Sequence, residues 1–215
     1  VNKLKLAVLI SGSGTTLRNL IERSEAGTLP AEVEVVVSSK EGVFGLERAR
    51  KHNIPTAVVE WTRIRDVQDF SYRITDVLGE FEPELVIMGG FLHLYKMPDE
   101  YKGRIMNIHP ALIPAFCGKG YYGRHVHEAV LKYGCKISGC TVHFVDNQYD
   151  HGPIIVQRAV PVLEGDTPEK LAARVFKEEC EAYPEAIKLF AEGRLQIGGR
   201  RVRILSKPQR FARDV

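Results

Sequence analysis

The stretch from Leu6 to Ile21 narrows the fold more than any other. A continuous apolar run, Leu6 to Ile10, ends in Ser11-Gly12-Ser13-Gly14, after which Leu17, Leu20 and Ile21 recur at helical spacing. Strand, tight glycine turn and helix, in that order, open a βαβ unit. A β-branched run at Val33 to Val37 predicts the second strand, Val43 to Arg50 the connection, and Thr56 to Val59 a third strand. Apolar residues at Val67, Phe70, Ile74, Val77, Leu78 and Phe81 mark a helix over Asp66 to Phe81 that stops before Pro83, and Leu85 to Met88 supplies a fourth strand. Strands this uniformly apolar are buried on both faces. The expected fold class is therefore α/β, with a Rossmann-like parallel sheet in the N-terminal half and right-handed crossovers.

The second half changes character. A strand at Ile105 to Ile108 leads into a loop with Pro110, Pro114, Gly118, Gly120 and Gly123, then a helix near Val126 to Tyr133. Ser138 to Val145 and Ile154 to Val162 predict two long strands around Asn147 to Gly152, extending the sheet with mixed or antiparallel strands. Thr167-Pro168 supplies an N-cap and a first-turn proline for a helix to about Glu192, in which Pro184 predicts a kink or break. Leu195 to Leu205, with Gly198-Gly199 in its middle, reads as a terminal hairpin, and the basic residues 206–215 as a frayed tail. With no repeat or linker, residues 1–215 are expected to form one domain.

At 215 residues and 44% hydrophobic the chain can bury a substantial core. Its charged residues nearly balance at +3, so no long-range field marks it for nucleic acid or membrane, and small-molecule partners are expected. The sequence carries neither a membrane-length apolar run nor a basic-then-apolar start, which predicts a cytoplasmic protein. Cys117, Cys135, Cys140 and Cys180 follow no disulfide or metal spacing and are expected as reduced, packed thiols.

All four of Gly12, Gly14, Gly89 and Gly90 fall at the carboxyl ends of parallel strands, where ligands of such sheets bind. A glycine turn before a helix aims backbone N–H groups at the positive end of the helix dipole, and the hydroxyls of Ser13, Thr15 and Thr16 add donors. That favours an anion site over a turn that is merely tight. The dinucleotide fingerprint fails at its third glycine, where Leu17 stands, and the second strand ends in Ser38-Ser39-Lys40 instead of an acidic ribose ligand. Lys40 keeps a phosphorylated dinucleotide in play, but a phosphomonoester fits better.

Asn107 and His109 alternate at a strand end and so share a face, and Pro110 and Pro114 stiffen the loop that follows. Asp150, in Tyr149-Asp150-His151-Gly152-Pro153, lies on the only other comparable polar turn. An amide donor, a histidine and a carboxylate make an acyl-transfer set, and no serine or cysteine nucleophile accompanies them, which points to direct attack by a substrate amine. A carboxylate beside His109 would raise its pKa above that of an isolated histidine. Spacing alone fits equally a buried Asn and His that satisfy loop hydrogen bonds.

Several ordered motifs carry a resemblance over nearly the whole chain: Ser11 to Thr16, Phe44 to Arg50, Gly89 to Phe91, Asn107 to Pro114 and Ser138 to Pro153. In these the sequence resembles the phosphoribosylglycinamide formyltransferases, folate-dependent enzymes of purine synthesis. The resemblance implies transfer of a formyl group from the co-substrate 10-formyltetrahydrofolate to the amine of glycinamide ribonucleotide, with no metal. It implies Asn107, His109 and Asp150 as the catalytic trio, and Gly14, Thr15 and Thr16 as phosphate ligands. Phe176, Lys177, Glu178 and Glu179 would touch the ribonucleotide. Leu92, His93, Leu94, Tyr95, Asn107 and Val145, Asp146, Asn147, Gln148, Tyr149, Asp150 would line the pterin pocket. By the same resemblance residues 1–100 form a phosphate-binding half and 101–215 a folate-binding, catalytic half. Oligomeric state is not legible.

The chain departs from the family at Thr16, where other members carry asparagine, and at Val67, where some carry a folate-contacting arginine, leaving Arg63 or Arg65 as substitutes. Phe116 to Arg124 is an insertion with no assigned role. His125 and His127 lack acidic or cysteine partners and read as structural or solvent-facing; His143 reads as a packed strand histidine with a supporting role open. Trp61, Arg200 and Arg201 read as surface features. Related folate enzymes acting on transfer RNA or on water carry extra domains that 215 residues would not hold. A phosphorylated-dinucleotide oxidoreductase and a non-enzymatic phosphosugar-binding module are the rivals from other classes.

Overall fold

The computed structural model describes residues 3–208. One nine-stranded sheet runs through them in the order β3-β2-β1-β4-β5-β6-β7-β9-β8. Its parallel part consists of β1 (Leu4–Ile10), β2 (Ala31–Ser38), β3 (Thr56–Val58), β4 (Leu85–Met88) and β5 (Ile105–His109). Strands β6 (Ile137–Phe144) and β7 (Ile154–Pro161) continue it antiparallel. The hairpin of β8 (Leu195–Gly198) and β9 (Arg201–Ile204) closes that edge. Mixed topology thus begins where the sequence changes character.

Alternation along β1 shows how the sheet is covered. Leu6, Val8 and Ile10 pack into one apolar cluster with α1 (Thr15–Glu25), α2 (Phe44–Lys51), α5 (Arg124–Tyr133) and α6 (Pro168–Ala191), whereas Ala7 and Leu9 pack into a second with α4 (Val67–Phe81). Successive strand side chains face opposite ways, so a strand apolar at every position demands both covers. Caps set the helix starts as expected: Asp66 accepts from the Asp69 amide at 2.8 Å, and Thr167 from the Lys170 amide at 3.3 Å. A short helix α3 (Trp61–Ile64) and a 3-10 turn at Asp99–Tyr101 have no counterpart in the sequence pattern. Trp61 stacks on His93 at 5.0 Å and meets Phe70 edge-on at 5.1 Å, so it is half-buried and not the surface feature expected.

Pro184 does not break α6, which runs through it. A proline removes the N–H that would reach the carbonyl four residues back, that of Cys180. Asn19 Nδ2, from α1, donates to that oxygen at 3.0 Å in its place. The four cysteines are unpaired, and no described helix is long and apolar enough to cross a membrane. The expected frayed tail concerns residues 206–215, of which 209–215 lie outside the described residues.

The strand order reverses between β1 and β4, opening a crevice beyond their carboxyl ends. The Gly12–Gly14 turn and Gly89–Gly90 flank it.

Candidate active site

Beyond the ends of β4 and β5 two cavities share Asn107 and Asp150, one of them lined by His109 as well, and a third adjoins the latter along Gly90, Ile108, Pro110 and Gly123. The strand pair brings Asn107 opposite His143 and His109 opposite Thr141. The turn after β6 brings Asp150, which adopts a positive φ of 50° that aspartate tolerates better than most residues. Within that turn Asp146 Oδ1 accepts from the Gln148 amide at 3.0 Å and its Oδ2 pairs with His151 at 2.6 Å. Gly152 is obligatory there, since a Cβ on it would lie 1.8 Å from the Phe144 carbonyl oxygen.

The trio is joined by direct contacts. Asn107 Nδ2 donates to Asp150 Oδ1 at 3.2 Å, and His109 Nδ1 lies 3.4 Å from Asp150 Oδ2. The Gly118 amide donates to the same Oδ2 at 2.9 Å, and His109 Nε2 lies 2.8 Å from the Phe116 carbonyl oxygen. The Phe116–Gly118 end of the insertion therefore grips two of the three residues. Burial pushes the Asp150 carboxyl upward, but His143, His109 and the Gly118 amide outweigh it and hold the group below the usual carboxylate range. His109 is only 3% exposed, and burial lowers its pKa below the ordinary histidine value against the upward pulls of Asp150 and the Phe116 carbonyl. The expectation of a raised His109 is thereby corrected: in a dry pocket desolvation exceeds the attraction of one carboxylate. Asn107 Nδ2 also lies 3.3 Å from His143 Nε2.

The largest of the three, about 610 Å³, lies on the α1 side and is lined by Thr15, Thr16, Gly90, His127, Phe176 and Glu179 among others. Helix α1 starts there with Gly14 (φ 66°) as its N-cap, no capping side chain and no acid in its first turn, so its first amides stay open to an anion. Gly14 itself packs behind: a Cβ on it would come within 2.7 Å of Gly45 Cα. On α6 only Phe176 and Glu179 of the predicted set line the cavity; Lys177 is exposed and Glu178 pairs with Arg158 at 3.3 Å. Three residues apart is one helix face, whereas consecutive residues are not. Burial raises the Glu179 carboxyl to about 7. His127, set aside in the sequence, also faces this cavity, with a buried Nδ1 that has no protein partner; burial and then His109 lower its pKa.

A second cavity, about 370 Å³, lies over the trio between Phe91, Leu92 and the insertion residues Lys119 to Tyr122. The third is a slot of about 50 Å³ walled by Met88, Phe91, His93, Leu94, Tyr95, Val145, Asp146, Gln148 and Tyr149. Asn147 turns from it to accept from the Met97 amide at 3.0 Å, tying the two walls together. Val67 opens α4 outside these cavities, Arg63 ion-pairs with Glu60, and Arg65 donates to Thr62 at 3.1 Å, so neither arginine lines the slot. Among the described residues no group of three or more His, Cys, Asp or Glu is arranged for a metal.

The geometry has relatives. The Formyl transferase family matches residues 4–187. The trifunctional purine biosynthetic protein adenosine-3 of Gallus gallus is 43% identical over 92% of the chain, which spans 19% of that protein. The chloroplastic phosphoribosylglycinamide formyltransferase of Vigna unguiculata is 41% identical over 91% of the chain and 63% of its own length. The chain thus spans less than two thirds of these relatives. Among solved structures, glycinamide ribonucleotide transformylase 1 of Symbiobacterium toebii superposes with a TM-score of 0.88 at 43% identity, covering 95% of both chains. A match of this extent assigns the chain to the formyl transferase family.

Proposed function

We propose that this protein transfers the formyl group of 10-formyltetrahydrofolate to the amine of glycinamide ribonucleotide, a step of de novo purine synthesis. The observation that carries the reading is an Asn-His-Asp cluster that borders two cavities, with a third opening beside them along Gly90, Ile108, Pro110 and Gly123. The tetrahedral intermediate of such a transfer has three large arms, the pterin and aminobenzoyl groups on N10 and the ribonucleotide on the amine, and each requires its own exit. The anion-ready start of α1 and Glu179 suit the ribonucleotide in the largest cavity. The aromatic and aliphatic slot suits the pterin, whose entry must part its walls, with polar recognition left to backbone groups of 92–95 and 145–150.

In the reaction the amine lone pair attacks the formyl carbon, and the carbonyl π electrons move onto oxygen. His109 and Asn107 flank that carbon and stabilise the intermediate. Collapse breaks the bond to N10, and the proton lost by the amine ends on N10, with Asp150 as the relay nearest both. A cytoplasmic setting, small-molecule partners and the division into a phosphate-binding half (1–100) and a folate-binding, catalytic half (101–215) go with this reading. The test is incubation with both substrates and detection of the formylated ribonucleotide by mass. Formate released at a rate indifferent to the ribonucleotide would instead mark a hydrolase.

A further inference from the structure

The insertion ends at Gly123, whose positive φ of 49° turns the chain into α5 and makes Arg124 the first residue of that helix. Arg124 and Glu169, the second residue of α6, both line the 610 Å³ cavity, and an ion pair between Arg124 Nη1 and Glu169 Oε1 joins the two helix starts. Glu128, one helical turn along α5, takes the other side of the guanidinium, its Oε1 2.6 Å from Nε. Two carboxylates do not exhaust the five donors of an arginine. Among the side chains that line the cavity Arg124 is the one guanidinium or ammonium group; Glu169, Glu179 and His127 are the others able to carry charge. The Arg124 and Glu169 side chains are 64% and 60% exposed, and an ion pair so open to water holds weakly. A phosphomonoester offers the guanidinium the same fork of oxygens with a larger charge.

We infer that Arg124 is a specificity-determining residue that pairs with the phosphate of the ribonucleotide, and that Glu169 competes with the phosphate for it. The inference rests on the proposed formyl transfer, which puts the ribonucleotide in this cavity. The first amides of α1 and the hydroxyls of Thr15 and Thr16 offer dipoles to the phosphate, and Arg124 adds the full positive charge that a dianion calls for. Glu169 makes that charge selective. A ligand without a phosphate has nothing to draw the guanidinium from its carboxylate, whereas a dianion does. Competition also separates this role from a plain staple between α5 and α6: loss of either member of a staple has the same effect, but loss of a competitor and loss of a ligand have opposite ones.

Equilibrium titration with glycinamide ribonucleotide, with formyl transfer followed alongside, tests this. Arg124→Gln should weaken the ribonucleotide Kd by ~10-fold, the low end for a hydrogen bond to a charged group because the side chain is exposed. Glu169→Gln should tighten it by ~2–5-fold, the value of an exposed ion pair no longer in competition. In the Arg124→Gln background Glu169→Gln should change far less, which separates competition from the general effect of removing a negative charge at the start of α6. Neither variant should move the Kd of the unphosphorylated riboside. Changes of the same sign in the two variants, or none, would assign the pair to stapling the helices and overturn the inference. So would a gain from Glu169→Gln that is equal with and without Arg124, or riboside shifts as large as those of the ribonucleotide. These results would leave formyl transfer by the wild type standing; a wild type that neither binds the ribonucleotide nor formylates it would overturn the functional reading, and the inference with it.

Discussion

Glu179→Gln separates the role of this carboxyl in stability from its role in binding, because its burial makes the two respond oppositely to pH. Burial holds the group at about 7, against an ordinary 4.5. Such a shift corresponds to ~3 kcal/mol, an upper bound since the side chain borders an open cavity. Between pH 4.5 and about 7 the native state keeps a proton that the unfolded chain releases, so the native state binds more protons and stability falls as pH rises. The contribution is fully present below 4.5 and lost above about 7. Glutamine does not titrate, so the variant should equal wild type in stability near pH 4.5 and exceed it by up to ~3 kcal/mol at pH 8. In a chain of this size that is several degrees of Tm. Ribonucleotide binding should move the other way: the ionised carboxylate is the better acceptor for ribose hydroxyls, so wild-type affinity should rise through pH 7 and the variant's should not. Denaturant unfolding and ribonucleotide titration across pH 4.5–8 check both. A stability difference that is constant with pH would refute the buried-carboxyl argument.

Asp150→Asn removes the charge facing His109 and should lower kcat by ~10²–10⁴-fold with binding retained. It should also move the His109-dependent limb of the pH–rate profile to lower pH, since the remaining burial only depresses that pKa; an unmoved limb separates Asp150 from His109. Thr15→Val and Thr16→Val each delete a hydroxyl beside the open α1 start and should raise the ribonucleotide KM about 10–100-fold, the value of a hydrogen bond to a charged group, with the folate KM unchanged. A parallel rise for folate would move the phosphate elsewhere. Gly152→Ala pushes a Cβ into the Phe144 carbonyl and should cost ~1–3 kcal/mol by overpacking, together with kcat, because that carbonyl anchors the His143 ring. Unchanged unfolding would show that the turn relaxes freely.

What could be read from the sequence follows the range of each interaction. The strands at Leu6, Val33 and Leu85 and the capped starts at Asp66 and Thr167 depend on neighbours a few residues away, and the structure has them within a residue or two. The shared face of Asn107 and His109 is likewise local. The Asn107–His143 pair depends on strand register, which no single segment contains. Treating 176–179 as a block hid that only the first and last share a helix face. His127 looked inert because the cavity that it lines is assembled from segments far apart in the chain. The His109 shift was misjudged for a related reason: the sequence displays the partner carboxylate and conceals the dryness around it.

The bond from Asn19 to the Cys180 carbonyl bears on a length. Helix α1 brings its open first amides to the 610 Å³ cavity and α6 brings the Glu179 carboxyl to it, so whatever fixes the two helices against each other sets the distance between those groups. Proline at 184 leaves an oxygen that α6 itself has no N–H to meet, and α1 answers it from across the interface. Pro184→Ala would supply the missing N–H within α6, and the helix would become more regular while its hold on α1 weakened. In this interface a defect in one helix serves as the registration mark for two.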